Sequence, residues 1–412
     1  MNSHSVWAEI DLDAIASNVA ELKRLVGPRT RLMAVAKADG YGHGAGETAR
    51  TALENGADFI GVARLEEGAA LRKAGISAPI LIFGRTDPSL ARDLARHGLV
   101  QTVFSRSGAR ALSGAAARLG LRIPAHIKVD TGMGRLGLLP DFEENAVSPE
   151  SPAGVEWKGA LGDIRSMAAL EGLSIRGIYT HFASADQKDP GPALDQLHAF
   201  SRLLDQTARA EIPTGLRHAA NSAAIIRFPR AHLDMARAGV AMYGLLPSPD
   251  MDPGQIRLKP AMSLKARVIH VKKVPAGFAA SYGGTWRPPV PTTLATVSAG
   301  YADGVSRRLS NRGHMLVRGK RAPIAGRVCM DQTLLDAGHI PGIRVGDEAV
   351  IFGRQGEEEI GAGEAASAAG TIHYEIVSTV TARVPRVYVR GKKTGTGPKI
   401  GNRLDKMISG DY

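Results

Sequence analysis

Residues 31–75 read RLMAVAKADGYGHGAGETARTALENGADFIGVARLEEGAALRKAG and contain the same pattern twice. A short apolar run, as in a buried strand, is followed by an amphipathic segment rich in alanine and leucine, as in a helix. Strands that alternate with helices in this way predict βαβ units around a parallel sheet.

The same alternation extends over residues 30–246. The apolar runs that read as strands are RLMAVAKADG, DFIGVARLEE, APILIFGRT, VQTVFSRS, PAHIKVDTG, IRGIYTHFAS, LRHAANSAA and DMARAGVAMYG. About eight such units is the number in a closed (β/α)8 barrel of the TIM type, which we therefore predict. A doubly wound open sheet is the alternative, and periodicity alone does not decide between the two.

Beyond residue 250 the apolar runs become β-like without intervening helices, as in MSLKARVIHVKKV and TTLATVSAGYADG. We predict four parts: 1–12, an N-terminal strand that pairs with the C-terminal domain; 13–250, the barrel; 251–390, a mostly antiparallel β domain; and 391–412, a disordered basic tail. The polar, Pro- and Gly-rich residues 141–160 are expected to form an exposed loop.

The composition is that of a globular protein, with 44% hydrophobic and 22% charged residues. A net charge of +12 would permit a nucleic-acid partner, but the basic residues are scattered and densest in the tail. One cysteine, Cys329, excludes an internal disulfide and a cysteine-cluster metal site, in line with a reducing compartment. No apolar run approaches the roughly 18 residues of a membrane span, and no signal peptide is visible. We therefore expect a cytoplasmic protein that binds no metal, no membrane and no nucleic acid.

Lys37 follows the first barrel strand directly, where the chain enters a glycine-rich loop. A lysine at a strand end is usually a surface residue. Inside an apolar barrel mouth, however, desolvation lowers the pKa of an ammonium and favours the neutral amine that a Schiff base requires. Tyr41, among the glycines that follow, could donate its hydroxyl to an anion.

Other polar residues follow the later strands, and active sites of such barrels lie at this end. Lys128 and Arg135 flank a glycine turn, which is either a salt-bridged loop or a site for a carboxylate. His181 ends the sixth run, where a histidine is more often a hydrogen-bonded core residue. Asn221 and Ser222 open a predicted helix.

The eighth run places Arg237 before Gly239 and Val240. Backbone N–H groups near the last two strands of a barrel, together with a serine hydroxyl, are suited to bind a phosphate.

At this point a family resemblance becomes visible. The motifs AVAKADGYGHG, KVDTGMGRLG, THFASAD, HAANSAA, ARAGVAMYG, SYGGTW, SAGYADG, GRVCMDQ and HYEIVSTVTARVPR resemble, in this order, those of the alanine racemase family. The resemblance extends from about Trp7 to Tyr388. It implies a pyridoxal 5'-phosphate (PLP) barrel, a β domain, a head-to-tail homodimer, and interconversion of L- and D-alanine.

The resemblance also implies the catalytic roles. Lys37 would carry the cofactor as a Schiff base and act as one base, and Tyr282 would be the second base, reaching in from the partner subunit. Two bases on opposite faces suit a racemisation. Since a tyrosine with an ordinary pKa near 10 is a poor base, His181 and Arg237 would favour its phenolate. Lys128 would support catalysis as a carbamate that orients Arg135.

The remaining roles concern the cofactor and the substrate. Arg237 would face the pyridine nitrogen and leave it unprotonated, while Arg135 would contact the phenolic oxygen and the substrate carboxylate. The phosphate would be held by Tyr41, Asn221, Ser222, Gly239, Val240 and Tyr374. From the partner's β domain, Met330, Tyr301 and Asp331 would bind substrate or narrow the entry, and Cys329 is expected to be a buried apolar residue.

Three alternatives stay open. A PLP decarboxylase typically places a carboxylate at the pyridine nitrogen, against which Arg237 argues. A racemase for serine, for a basic amino acid or with broad specificity would use the same scaffold, although Tyr301 and Tyr374 favour a small side chain. A non-catalytic PLP-binding or nucleic-acid-binding protein has only the basic tail in its favour. Both D-alanine supply for the cell wall and a catabolic role remain open.

Overall fold

The computed structural model describes residues 3–141 and 156–391. Most of the predicted surface loop and nearly all of the predicted tail lie outside these ranges. The chain begins with strand β1 (Val6–Asp11) and helix α1 (Leu12–Val26). Asp11 caps α1 by accepting a hydrogen bond from the Ala14 N–H at 2.9 Å.

Eight parallel strands form the first sheet. They are β2 (Arg31–Val35), β3 (Phe59–Val62), β4 (Ile80–Ile82), β5 (Leu99–Val103), β6 (Ile123–Lys128), β7 (Leu173–Tyr179), β8 (Leu216–His218) and β9 (Met235–Ala238). The strands follow chain order from β2 to β8, and β9 pairs with the other side of β2. Two backbone hydrogen bonds join the segments of β8 and β9. The Asp234 N–H donates to the Arg217 carbonyl, and the Arg237 N–H donates to the Ala220 carbonyl. The barrel prediction is confirmed, and the open sheet is excluded.

Helical elements connect these strands. They are the single turn α2 (Lys37–Tyr41) and the helices α3 (Ala45–Glu54), α4 (Leu65–Lys73), α5 (Ala91–Arg96), α6 (Arg106–Ala117), α7 (Lys158–Ala168), α8 (Gly191–Arg209) and α9 (Ser222–Arg227). Helix α1 is amphipathic and buries its apolar face, on which Ile15, Val19 and Leu22 are completely buried.

The barrel interior is filled by side chains that are separate from the larger core between strands and helices. This inner cluster contains Met33, Phe59, Leu81, Val100, Tyr179 and Met235. These side chains fill the space enclosed by the strands, as expected for a packed barrel core.

The second sheet is mostly antiparallel. Besides β1 it contains β10 (Met262–Val274), β11 (Thr292–Val297), β12 (His314–Val317), β13 (Lys320–Pro323), β14 (Thr333–Asp336), β15 (Glu348–Gln355), β16 (Glu358–Ile360) and β17 (Arg386–Val389). β1 pairs antiparallel with β10 and parallel with β17. The domain limits given above stay predictions.

One expectation for this region is wrong. Two helices, α10 (Ala362–Ala369) and α11 (His373–Ser378), follow β16, where only β-like runs were expected. Alanine-rich α10 buries Ala362, Ala365, Ala366 and Ala369 on one face, so packing rather than a strong apolar pattern stabilises it. Across the described ranges, no helix has both the length and the apolar character needed to cross a bilayer.

Candidate active site

A cavity of about 1080 Å³ opens at the carboxyl ends of the barrel strands. It brings together every predicted site residue of the barrel as well as one from α11. These residues are Lys37, Tyr41, Lys128, Arg135, His181, Asn221, Ser222, Arg237, Gly239, Val240 and Tyr374. Their separation along the chain shows that barrel closure, not local sequence, assembles them.

The turn α2 begins at Lys37 and is left-handed from Ala38 onward. Ala38, Asp39 and Tyr41 have φ between 51° and 52°, and Gly40 has φ of 62°. A left-handed helical conformation costs roughly 1–2 kcal/mol for each residue with a Cβ, so the turn needs external support. The Asp39 carboxylate accepts the Ala45 N–H at 2.9 Å.

Buried His43 supports the turn from within. Its Nδ1 lies 3.1 Å from the Gly40 carbonyl and 3.0 Å from that of Tyr41. Because both partners only accept, Nδ1 carries the proton. Burial lowers the pKa of His43 to about 4, so the ring is neutral near pH 7. His43 was not predicted as a site residue, although it lies within the AVAKADGYGHG motif.

Lys37 lies at the cavity wall, with its Nζ 5.8 Å from the centre of the Tyr41 ring. Burial lowers the pKa of this lysine, the Arg135 guanidinium lowers it further, and Glu67 raises it. Desolvation was the effect expected from its position, and it increases the fraction of neutral amine.

Hydroxyls and backbone N–H groups converge on Gly239. Ser222 Oγ accepts the Gly239 N–H at 2.8 Å, and Asn221 caps α9 by accepting the Ala224 N–H at 3.0 Å. A Cβ on Gly239 would lie 3.0 Å from Tyr41 Oη and 3.5 Å from Ser222 Oγ, so a side chain here would occupy the space between these hydroxyls.

The tyrosines beside this space remain hydrogen-bond donors. Burial raises the pKa of Tyr41 to about 12 and also raises that of Tyr374, whose ring centre lies 6.3 Å from that of Tyr41. Protonated hydroxyls and backbone N–H groups suit a phosphate, and the residues present therefore fit that part of PLP.

Arg237 is buried and uses its guanidinium as a donor on several sides. Nη2 donates to the carbonyls of Thr180 and Ala219, both at 2.8 Å, and to His181 Nδ1 at 3.2 Å. Nη1 donates to His218 Nδ1 at 2.9 Å. Burial lowers the pKa of Arg237 to about 10, which still leaves the group charged at pH 7.

These donations determine where two imidazole protons lie. Because Arg237 only donates, Nδ1 must accept in both His181 and His218, so each ring carries its proton on Nε2. His218 Nε2 lies 2.9 Å from His126 Nδ1 and donates to it. His126 and His218 were not predicted as site residues, although they occur in the strand runs PAHIKVDTG and LRHAANSAA.

The loop after β6 carries Arg135. The Asp130 carboxylate organises it by accepting backbone N–H groups at 2.8–3.1 Å from Gly132, Met133, Gly134 and Arg135. Lys128 Nζ donates to the Leu136 carbonyl at 2.5 Å. Burial is the largest cause that lowers the pKa of Lys128 to about 8, and Arg237 and Arg135 lower it further.

The other predicted residues do not reach this cavity. Tyr282, Met330 and Asp331 line a separate, open recess on the β domain, and the two spaces share no lining residue. Tyr282 is 70% exposed and Met330 53% exposed. The Tyr301 N–H donates to the Cys329 carbonyl at 3.0 Å, which attaches Tyr301 to the same surface.

The expectation that Cys329 is buried is wrong. It is half-buried rather than buried, with its Sγ 3.6 Å from Ser281 Oγ. It lies within the loop that presents Met330, where the chain is too exposed to cover it.

Comparison with protein families identifies both halves of the chain. Residues 10–150 and 151–247 match the model of the alanine racemase N-terminal domain, and residues 261–388 match that of the C-terminal domain. The chain belongs to the alanine racemase family. Members of this family are PLP-dependent isomerases that interconvert L- and D-alanine.

Individual members of the alanine racemase family match nearly the whole chain. The alanine racemase of Desulfosudis oleivorans is 52% identical over 96% of this chain and 99% of its own length. The alanine racemase of Desulforamulus reducens is 46% identical over 93% and 99%, respectively. The match to the predicted family is thereby confirmed.

Solved alanine racemase structures share the fold. The enzyme from D-cycloserine-producing Streptomyces lavendulae has a TM-score of 0.86 and 39% identity, covering 95% of this chain and 98% of its own. The enzyme from Bacillus anthracis with bound L-Ala-P has a TM-score of 0.86 and 37% identity, covering 95% and 97%.

Proposed function

We propose that this chain racemises alanine with two bases, Lys37 of one subunit and Tyr282 of the partner subunit. The observation that carries the proposal is that the two proposed bases lie on different parts of the chain, Lys37 in the barrel cavity and Tyr282 on the β domain. The barrel cavity contains a lysine with a lowered pKa beside a phosphate-type cradle, whereas the tyrosine lies exposed on another face. A tyrosine offered outward by the β domain is accessible to a second copy of the chain.

The cavity residues divide the task of holding PLP. Lys37 would hold it covalently, and the phosphate would lie among Tyr41, Asn221, Ser222, Gly239, Val240 and Tyr374. Arg237 would face the ring nitrogen and Arg135 the phenolic oxygen. When bound, PLP withdraws electrons from the substrate α-carbon and so acidifies its proton.

Arg237 distinguishes this site from that of a decarboxylase. Because its guanidinium is charged at pH 7, Arg237 would donate a hydrogen bond to the ring nitrogen and would not transfer a proton to it. Arg237 would thereby limit the electron withdrawal by PLP, which would favour return of a proton to the α-carbon over competing reactions.

The chain's own residues account for the proton transfers. Neutral Lys37 Nζ would take or return the α-proton on one face, and the partner subunit's Tyr282 would do so on the other. His181 would direct its Nε2–H toward the phenolate oxygen and stabilise it, because Arg237 occupies its Nδ1. Arg135 would orient the substrate carboxylate.

The homodimer and the small substrate belong to the same proposal. Met330, Tyr301 and Asp331 would complete the site from the partner's β domain, and the rings of Tyr301 and Tyr374 would restrict the side chain to the size of alanine. Cytoplasmic location stays a prediction, supported by a single cysteine that can form no disulfide within the chain. A role in D-alanine supply for the cell wall is the corresponding physiological expectation.

The test combines spectroscopy, mass spectrometry and chirality. The purified protein should absorb visible light as a yellow PLP enzyme, and borohydride reduction should attach the cofactor to the peptide that contains Lys37. L-Alanine should lose optical activity much faster than L-serine or L-lysine. A colourless protein that never reconstitutes with PLP, or attachment to another lysine, would contradict the proposed site, and faster turnover of serine or lysine would contradict the substrate.

A further inference from the structure

The Glu67 carboxylate connects the ends of two neighbouring barrel strands. It belongs to the first turn of α4, which follows β3. One oxygen, Oε2, accepts the N–H groups of Ala63 at 2.7 Å and Arg64 at 3.1 Å. The other, Oε1, accepts the Ala38 N–H at 2.7 Å, across the gap to the chain that follows β2.

The Ala38 N–H has a special position because it follows Lys37 directly and begins the left-handed turn. Within the turn, the Gly40 N–H donates to the Ala36 carbonyl at 2.9 Å and the Gly42 N–H to that of Ala38 at 3.0 Å. The bond to Glu67, by contrast, fixes the start of the turn to another element. A charge-assisted hydrogen bond of this kind is stronger than one between neutral groups.

The charges around Lys37 give the same carboxylate a second effect. The titratable groups that line the cavity beside Lys37 are the bases Lys128, Arg135, His181, Arg237 and His373, the tyrosines Tyr41, Tyr179 and Tyr374, and the acids Asp186 and Glu364. Of the charged groups that act on Lys37, Arg135 lowers the pKa of its ammonium beyond the effect of burial, whereas the Glu67 carboxylate raises that pKa. One side chain thus acts on the backbone and on the charge of the same lysine.

We propose that Glu67 is a positioning residue for Lys37, which it holds at the cavity wall through the Ala38 N–H and for which it supplies the counter-charge. This proposal rests on the proposed function, in which Lys37 carries the cofactor. The hydrogen bond to the Ala38 N–H and the counter-charge for Lys37 can be tested separately, by changing either the length or the charge of the side chain at position 67.

The experiment uses Glu67→Gln, Glu67→Asp and the control Glu66→Gln. Glu66 lies beside Glu67 in the first turn of α4 but is exposed, so its replacement removes the same charge near the helix N-terminus. The PLP-free protein is labelled with acetic anhydride at a series of pH values, and acetylation of Lys37 is followed by peptide mass spectrometry. PLP affinity and thermal unfolding are measured on the same samples.

In Glu67→Gln the labelling curve of Lys37 should shift to lower pH, because loss of the carboxylate favours the neutral amine. PLP binding should weaken about tenfold, as expected for loss of one charge-assisted hydrogen bond. Glu67→Asp keeps the charge but is too short to bridge both strands, so it should weaken PLP binding with little change in the labelling curve. Glu66→Gln should match the wild type.

If Glu67 only caps α4, Glu67→Gln will lower the unfolding temperature but leave both the Lys37 labelling curve and PLP affinity at the level of Glu66→Gln. That result overturns the proposal while leaving the role of Lys37 intact. If the proposed function itself fails, borohydride will attach PLP to a lysine other than Lys37. The Lys37 labelling curve is measured without PLP, so it is independent of that result. If Glu67→Gln folds poorly, Glu67→Asp provides the test instead. Normal PLP affinity of Glu67→Asp would likewise overturn the positioning role.

Discussion

At the scale of single residues, proton positions in the site follow from Arg237. Its donation to His181 Nδ1 leaves the Nε2 proton of that ring free to stabilise a phenolate. We expect Tyr282→Phe to slow exchange of the α-proton of one alanine enantiomer in D₂O by about 100-fold or more, the usual size of a general-base effect, and the other far less. Proton NMR measures both rates.

The matched comparison is Tyr301→Phe, which removes a hydroxyl from another exposed ring of the β domain. It should affect both enantiomers to the same degree, because it reaches neither face of the α-carbon selectively. Equal slowing of both enantiomers in Tyr282→Phe would refute the two-base assignment.

Lys128 provides a second prediction at this scale. Since its pKa is lowered to about 8, about half of its amines are neutral at pH 8. A neutral amine can attack CO₂ and release a proton, forming a carbamate beside Arg135. With ¹³C-labelled bicarbonate, a carbamate signal should appear in the NMR spectrum at pH 8 and decline as the pH falls and the amine is protonated. A Lys128→Arg control should lack the signal, and a bare amine in the wild type at pH 8 would remove the hypothesis.

At the scale of elements, the backbone from Gly132 to Arg135, shortly after β6, depends on one carboxylate. Asp130 accepts backbone N–H groups up to that of Arg135, and hydrogen bonds to a charged group are worth about 1.5–3 kcal/mol. In Asp130→Asn, one acceptor becomes a donor that opposes an N–H group. Because Arg135 is proposed to bind the substrate carboxylate, we expect KM for alanine to rise about tenfold or more, with a smaller change in kcat.

Steady-state kinetics checks this prediction, with Asp87→Asn as the control. Asp87 also accepts a backbone N–H, from Ser89 at 2.9 Å, but it is exposed and does not line the cavity. A fall in kcat at unchanged KM would assign Asp130 a different role.

At the scale of the whole molecule, a shared active site can be tested by mixing subunits. Dimers of Lys37→Ala alone and of Tyr282→Phe alone should both be impaired. After unfolding and refolding of an equal mixture, about half of the dimers are mixed, and each of these has one intact site, so about a quarter of wild-type activity should return. Activity that stays at the level of the separately refolded variants would show that each site belongs to one chain.

Much of the barrel follows from the sequence by itself. Alternating apolar runs and amphipathic helices predicted the eight parallel strands, because strand and helix periodicities are local properties of neighbouring residues. The motifs likewise indicated Lys37, Ser222 and Arg237 as polar residues at strand ends. Helices α10 and α11 were not predicted, because the alanine-rich sequence has a weak pattern of hydrophobicity and the helices are stabilised by packing.

Only the tertiary structure decided which groups meet. The left-handed turn after Lys37, the imidazole chain from Arg237 through His218 to His126, and the bond from Glu67 to the Ala38 N–H join residues far apart in sequence or in unusual backbone conformations. The structure also decided that Tyr282 lies outside the cavity of its own chain. Hydrogen-bond geometry and burial depend on positions in space, which a periodic pattern does not contain.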